Sequence, residues 1–145
     1  MNATIRQLLD TADLLLADTG EPATPAATPV PARPTALAAV PAASTATTAS
    51  RCRGAAFALR AALESAVADR LAAHRAPRAI REGTQRAAFL WLRGCAEAGT
   101  ARRAKAAWSQ LCLGCHYHQY EIGPTEDQVR AWRTEVAAIV ALLAH

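Results

Sequence analysis

Two cysteines and two histidines lie within seven residues in the C-terminal third of the chain. They are Cys112, Cys115, His116 and His118. Thiolate sulfur and imidazole nitrogen are donors that zinc prefers, and structural zinc sites hold four such donors in a tetrahedron. Because Cys112, Cys115 and His118 follow one another at intervals of three, their side chains can curl around one ion. This stretch is the strongest candidate for metal chemistry.

The fourth zinc ligand has to come from another part of the chain. His74, at the end of a predicted helix, is the expected donor. His116 is less suited than His118 because the side chains of the neighbours Cys115 and His116 diverge. The sequence therefore predicts one structural zinc as cofactor, held by Cys112, Cys115, His118 and His74. The alternative is that the thiols pack as small apolar groups at a helix end.

The string from Cys112 to His116 reads C-x-x-C-H. These five residues resemble the haem attachment motif of c-type cytochromes. The resemblance implies two thioether bonds to haem, His116 as an axial ligand and a four-helix electron carrier, which we keep as an alternative function. A thioredoxin-like role is disfavoured, because that chemistry needs the motif at the start of a helix, whereas here it closes one.

Composition favours helices over sheet. The chain has 145 residues, of which 52% are hydrophobic and only 5% aromatic, so alanine supplies much of the apolar share. Alanine is the best helix former, whereas strands prefer β-branched and aromatic residues. A chain of this length can bury one modest core. We therefore predict an all-α protein.

The chain divides into three predicted parts. Residues 1–18 form an amphipathic helix, residues 19–49 a linker and residues 50–145 a helical domain. The linker is rich in Pro, Ala and Thr and carries only Glu21 and Arg33 as charges, so it is expected to be a disordered tether. The apolar stripe of the first helix is Ile5, Leu8, Leu9, Ala12, Leu15 and Leu16.

Four helices are predicted in the domain, over about 51–75, 84–99 and 100–114 and from about 125 to the end. Gly99 is expected to adopt a left-handed cap and Gly114 to end a helix. Thr100 is expected to cap the third helix. Thr125 begins a capping box that is completed by Gln128. Three tryptophans, Trp91, Trp108 and Trp132, fall on the predicted inward stripes.

Short connections favour antiparallel neighbours, so we predict an antiparallel four-helix body. If the direction of successive helices alternates strictly, the first and third helices of this body are parallel. His74 then lies beside Cys112 and Cys115, while Cys52 and Cys95 share the opposite end, roughly 20 Å away.

Basic residues concentrate in the middle of the chain. Residues 51–105 hold twelve basic side chains against four acidic ones, whereas both ends of the chain are net acidic. The ends are expected to fold back onto the basic middle. Such a surface attracts phosphate, which makes a nucleic-acid-binding accessory protein a second alternative function. Its candidate residues are Arg75, Arg78, Arg81, Arg86, Arg102, Arg103 and Lys105.

No motif for catalysis is present. The chain has no Gly-rich phosphate loop, serine elbow or zinc-protease helix, so we do not expect an enzyme. It also has no secretory-type leader or spanning segment, so we expect a cytoplasmic location, reduced thiols and no membrane partner. The favoured function is a macromolecular interaction module with an as yet unknown protein partner.

Overall fold

The computed structural model describes residues 2–17, 47–115 and 123–145. Every regular element in these ranges is an α-helix, which confirms the all-α prediction. Most of the predicted linker lies outside the described residues. The helices are α1 (Ala3–Ala17), α2 (Thr48–Ala73), α3 (Arg78–Arg81), α4 (Gln85–Cys95), α5 (Ala98–Cys115) and α6 (Glu126–Leu143). In the ranges described, none of these helices is long and apolar enough to span a bilayer.

Helix α2 is the centre of the molecule, and α1, α4, α5 and α6 all contact it. Its large buried side chains are Leu59, Leu63, Val67 and Leu71, and buried alanines lie between them. Small residues let neighbouring helices approach closely, while each buried leucine contributes about 1.5–3 kcal/mol from the removal of apolar surface from water. Alanine richness is therefore compatible with a continuous core around one helix.

Helix α1 runs antiparallel to α2. Asn2 Nδ2 lies 3.5 Å from Asp69 Oδ2 near the end of α2. At the other end, a Cβ atom added to Gly54 would lie 3.1 Å from Leu15 Cδ1, so glycine permits the close approach of α1.

Helix α6 runs parallel to α2 and antiparallel to α5. Arg51 at the start of α2 lies 4.0 Å from Glu126 at the start of α6. Arg103 near the start of α5 forms a 2.8 Å ion pair with Glu135 in the second half of α6. Two acids of the C-terminal segment therefore meet basic residues of the middle of the chain.

Helix α5 runs antiparallel to α2, and strict alternation predicted the opposite. Trp108 Nε1 donates a hydrogen bond to Glu64 Oε1 at 2.8 Å. Arg70 Nε donates to the carbonyl oxygen of Cys95, just before α5, at 2.7 Å. Residue numbers thus fall along α2 as they rise along α5. The direction of successive helices does not alternate here because the connection after α2 contains a further helix, the single turn α3. This turn changes the direction of the chain before α4 begins.

The end of α2 is a Schellman motif with arginine where glycine is usual. Arg75 has a φ of 53°. Its N–H donates to Ala72 O at 3.0 Å, and the N–H of Ala76 donates to Leu71 O at 2.9 Å. Ala76 is buried, and Pro77 follows it. The chain is therefore turned sharply out of the helix at this point.

The predicted capping box of α6 is confirmed. The Thr125 hydroxyl accepts from the N–H of Gln128 at 3.3 Å, and the Gln128 side chain accepts from the N–H of Thr125 at 3.0 Å. The Thr84 hydroxyl similarly caps α4. Local side-chain chemistry was sufficient to place both helix starts.

The predicted start of α5 is wrong. The carboxylate of Glu97 accepts from the N–H of Gly99 at 2.7 Å and from the N–H of Thr100 at 2.8 Å. The helix therefore begins at Ala98, Thr100 is buried in its first turn, and Gly99 does not have a positive φ. An acidic side chain just before the helix supplies the acceptor that we had expected from Thr100. At the other end Gly114 lies inside α5.

Candidate functional site

Cys112 and Cys115 lie in the last turn of α5 and face the middle of α2. Cys115 is buried and Cys112 is half-buried. The charges of Arg60 and Glu64 of α2 act on both thiols. Arg60 Nε also donates to Glu64 Oε1 at 2.9 Å, the oxygen that accepts from Trp108. The two thiols thus adjoin an ion pair that is itself fixed to α5.

Burial dominates the acidity of both thiols. It raises the pKa of Cys112 and the pKa of Cys115 above the ordinary value, while the positive charge of Arg60 offsets part of the rise in each. The thiols are therefore neutral near pH 7, and a neutral thiol is a poor nucleophile. This arrangement does not resemble an activated catalytic cysteine.

His74 lies away from the two thiols. It caps the C-terminal end of α2 and is exposed. Arg60, whose charge acts on Cys115, is fourteen residues earlier on the same helix, which corresponds to about 21 Å at 1.5 Å per residue. The antiparallel direction of α5 is the reason, because it brings the end of α5 to the middle of α2 and not to its end.

The predicted zinc ligands are not all within the described residues. His118 lies in the segment 116–122, which the structure does not describe. The same segment contains His116, the axial ligand in the alternative haem-binding function. In the ranges that are described, no group of three or more His, Cys, Asp or Glu side chains is placed to hold a metal ion. A zinc site that includes His118 stays a prediction.

The other two cysteines are far apart. Cys52 lies near the start of α2, where the charges of Glu126 and Arg51 act on it, and burial raises its pKa. The carbonyl of Cys95 contacts Arg70, near the other end of α2. Eighteen residues separate Cys52 from Arg70, about 27 Å along the helix. The prediction that Cys52 and Cys95 share one end of the body is therefore wrong, again because of the direction in which α5 and its preceding turn approach α2.

An open groove of about 600 Å³ lies between α4 and α5. Its floor is apolar, with Phe89 fully buried and Leu90 62% exposed. No acidic side chain of the described part of the chain is among its lining residues. We call it the α4–α5 groove, and its lining consists of Arg86, Phe89, Leu90 and Arg93 from α4 and Ala101, Arg102, Lys105, Ala106 and Ser109 from α5.

The ammonium group of Lys105 is held in place inside the groove. Its Nζ lies 4.3 Å from the centre of the Trp108 ring and 6.0 Å from that of Phe89. The two rings are 5.2 Å apart, and Nζ is also 3.4 Å from the Ser109 hydroxyl. A cation fixed over aromatic rings costs less conformational entropy when it meets an anion.

The predicted nucleic-acid residues differ in their surroundings. Arg86, Arg102 and Lys105 line the α4–α5 groove. The other four have different surroundings: Arg103 pairs with Glu135, Arg78 pairs with Glu82, Arg81 donates to the carbonyl of Ala76, and Arg75 forms the left-handed turn after α2.

Sequence reasoning missed Arg93 and Leu90. Arg93 follows Arg86 by seven residues, which is two helical turns, so the two lie on one face of α4. Arg102 and Lys105 are three apart on α5 and share a face in the same way. Helical spacing of the cations could have found the groove. Trp91 was predicted to be inward but is 42% exposed, whereas Trp108 and Trp132 pack against the core.

Comparison with known proteins gives no relatives. No protein-family model matches the chain. No curated protein and no solved structure matches it either.

Proposed function

We propose that the protein is a macromolecular interaction module that binds an acidic amphipathic helix of a partner protein in the α4–α5 groove. The observation that carries this proposal is the combination of an apolar floor with four cationic side chains, Arg86, Arg93, Arg102 and Lys105, and no acidic lining. A ligand complementary to such a groove presents apolar side chains flanked by carboxylates.

Helix α1 provides a precedent within the same chain. It is an amphipathic helix with Asp10 and Asp13, and its buried residues Ile5, Leu9, Ala12 and Leu16 pack against the core. Asp13 forms a two-pronged ion pair with Arg133 at 2.9 and 2.6 Å. An acidic helix thus docks on α2 and α6 through an apolar stripe and a carboxylate–arginine contact. The α4–α5 groove offers the same two kinds of contact.

The dimensions of the groove suit a short helix. Helix α4 has eleven residues and is about 16 Å long. A partner helix of three to four turns would match this length. Helices bound in grooves present apolar anchors at positions i, i+3 or i+4, and i+7. In this arrangement Leu90 receives the anchors, while the arginines orient the helix and speed its association.

Nucleic acid is the competing ligand, because the same cations attract phosphate. Single-stranded nucleic acids also require exposed aromatic faces for base stacking. In the groove Phe89 is 2% exposed and Lys105 lies over the Trp108 ring. The exposed large apolar side chain of the lining is the aliphatic Leu90. These features favour a protein helix over a nucleic acid.

Selection from a library of displayed helical peptides tests the proposal. The full-length chain serves as bait, and the selected peptides are compared with the unselected pool. We expect enrichment of Asp and Glu beside apolar residues at helical spacing. We also expect the selected peptides to lose binding to the double variant Leu90→Glu, Arg93→Glu. Arg6→Glu is the control, since it makes the same kind of charge reversal on an exposed position of α1.

Two outcomes would contradict the proposal. One is a selected pool without acidic enrichment or one that binds the double variant as well as the wild type. The other is displacement of the peptides by duplex DNA or single-stranded RNA with a steep dependence on salt, which would assign the groove to nucleic acid.

A further inference from the structure

We infer that Cys112 and Cys115 form a two-coordinate site for a soft monovalent cation, with Cu(I) as the ion expected. The inference is independent of the α4–α5 groove. It starts from the position of both thiols in the last turn of α5, on the face that packs against α2.

Helical spacing suits a bridging metal better than a disulfide. Residues three apart on a helix have Cβ atoms about 5–6 Å apart. A disulfide requires a Cβ–Cβ distance of about 3.5–4.5 Å, so closing one would distort the last turn of α5. Two collinear metal–thiolate bonds of about 2.3 Å, the length found in zinc thiolates, hold the sulfurs about 4.6 Å apart, which the helical pair can accommodate.

Among the residues that the structure describes, the number of available donors favours Cu(I) over zinc. Zinc completes a tetrahedron with four ligands. One oxygen of Glu64 already accepts hydrogen bonds from Arg60 and Trp108, and in the described residues no third His, Cys, Asp or Glu joins the two thiols in a group that could hold a metal ion. Soft thiolates select Cu(I), for which two sulfur ligands are sufficient.

Charge is compensated at the site. Binding converts two neutral thiols and one Cu(I) ion into a bis-thiolate complex of net charge −1 and releases two protons to solvent. No oxidation or reduction is involved. Arg60 pairs with Glu64, which accepts from Trp108 one turn before Cys112, so the positive charge of Arg60 lies beside the thiols and stabilises the complex. The charge of Lys105 acts on Cys112 in the same direction, while that of Glu64 opposes both. Helix α2 covers the site on this side and limits access of competing ligands.

Anaerobic titration of the reduced full-length protein with Cu(I), in competition with a chromophoric Cu(I) chelator, tests this inference. We expect one copper ion per chain by native mass spectrometry and two sulfur neighbours by X-ray absorption. Cys112→Ser and Cys115→Ser should each abolish stoichiometric binding. The matched control, Cys52→Ser with Cys95→Ser, should retain it.

Arg60 provides the second arm of the test. Arg60→Met should weaken Cu(I) affinity by about 10–100-fold, as expected for a group that supports a metal ligand, and Arg60→Lys should restore part of the loss. Circular dichroism checks that each variant is folded. The inference is overturned by copper binding that survives Cys112→Ser or Cys115→Ser, by nitrogen neighbours in the absorption spectrum, or by tighter four-coordinate binding of zinc.

Discussion

Two faces of the molecule both combine apolar side chains with basic ones, but they differ in whether acidic side chains pair with the basic residues. Where α1 covers α2 and α6, apolar stripes meet and Arg133 pairs with Asp13. In the α4–α5 groove an apolar floor is again flanked by cations, but no acidic side chain of the described residues lines it. The chain thus carries one helix-docking face with its acidic helix in place and a second face of the same chemistry.

The difference separates stability from recognition. Matched charges and buried stripes between α1, α2 and α6 hold the fold together. The clustered positive charges around the exposed Leu90 do not stabilise the fold to a comparable extent, because like charges that lie close together repel. Residues of the α4–α5 groove should therefore affect binding strongly and folding weakly, and residues under α1 should do the reverse.

The largest expected effect is the contrast between two leucines. Leu59 of α2 is fully buried, whereas Leu90 of the groove is 62% exposed. Leu59→Ala should lower the free energy of unfolding by about 2–5 kcal/mol, because it removes buried surface and leaves a cavity. Leu90→Ala should change it by less than about 0.5 kcal/mol, as for other surface substitutions. Urea denaturation of both variants measures the contrast.

A loss of stability on Leu90→Ala comparable with that of Leu59→Ala would mean that the groove is part of the core. In that case the comparison between the two faces fails. Binding of the selected acidic peptides should show the opposite order, with Leu90→Ala the weaker binder.

The next effect concerns the turn between the two faces. Arg75 has a left-handed backbone at the end of α2. A non-glycine residue there costs roughly 1–2 kcal/mol, although glycine also raises the entropy of the unfolded chain. Arg75→Gly should therefore raise the free energy of unfolding by about 0.5–1 kcal/mol. Thermal denaturation provides the measurement, and a lower melting temperature would be inconsistent with the Schellman geometry.

Local signals in the sequence were sufficient for several helices but not for their arrangement. Thr125 to Gln128 places the start of α6 because a capping box involves only four neighbouring residues. The direction of α5 depends on the left-handed Arg75 and on the single turn α3, and neither carries a glycine or a strong helix signal. The predicted positions of His74 and Cys95 both depended on the direction of α5, so the structure differs from both predictions for the same reason.

The candidate site was predicted in part for the same reason. The pairing of Cys112 with Cys115 rests on a spacing of three and needs no knowledge of the fold. The groove requires α4 and α5 to lie side by side. The sequence identifies Arg86, Arg102 and Lys105 as basic residues. That they line one groove together with Arg93 and Leu90 follows only from the packing of the helices.

A smaller effect sharpens the comparison of charges. Asp13 is half exposed, so its ion pair with Arg133 is screened by solvent. Asp13→Asn should lower the free energy of unfolding by about 0.2–1 kcal/mol. Arg93→Gln should leave stability unchanged or raise it slightly, since it relieves repulsion in the groove. Chemical denaturation at low and high salt measures the free energy of unfolding of both variants. A loss of stability on Arg93→Gln would indicate that Arg93 is paired with an acidic residue.

The smallest effect is a loss of stability at alkaline pH. Burial raises the pKa of the Cys52 thiol, the negative charge of Glu126 raises it further, and Arg51 and Arg130 offset part of the rise. The folded state therefore holds this proton to a higher pH than the unfolded state. Stability should be complete below the ordinary thiol pKa of 9.0 and should decrease as pH rises above it.

Cys52→Ala measured from pH 8 to 10.5 tests this contribution. The variant should show a shallower alkaline decrease than the wild type. An unchanged slope would mean that Cys52 ionises equally in both states.

Charge reversal of the groove tests the central claim most directly. The variant Arg86→Glu, Arg93→Glu is compared with the wild type for binding of a selected acidic peptide and of the same peptide with each Glu or Asp replaced by Lys. If the α4–α5 groove recognises an acidic helix, the wild type binds the acidic peptide and not the lysine form. The variant, whose groove then holds two acidic and two basic side chains, loses this preference for the acidic peptide. Equal binding of the acidic peptide by both proteins would contradict the account.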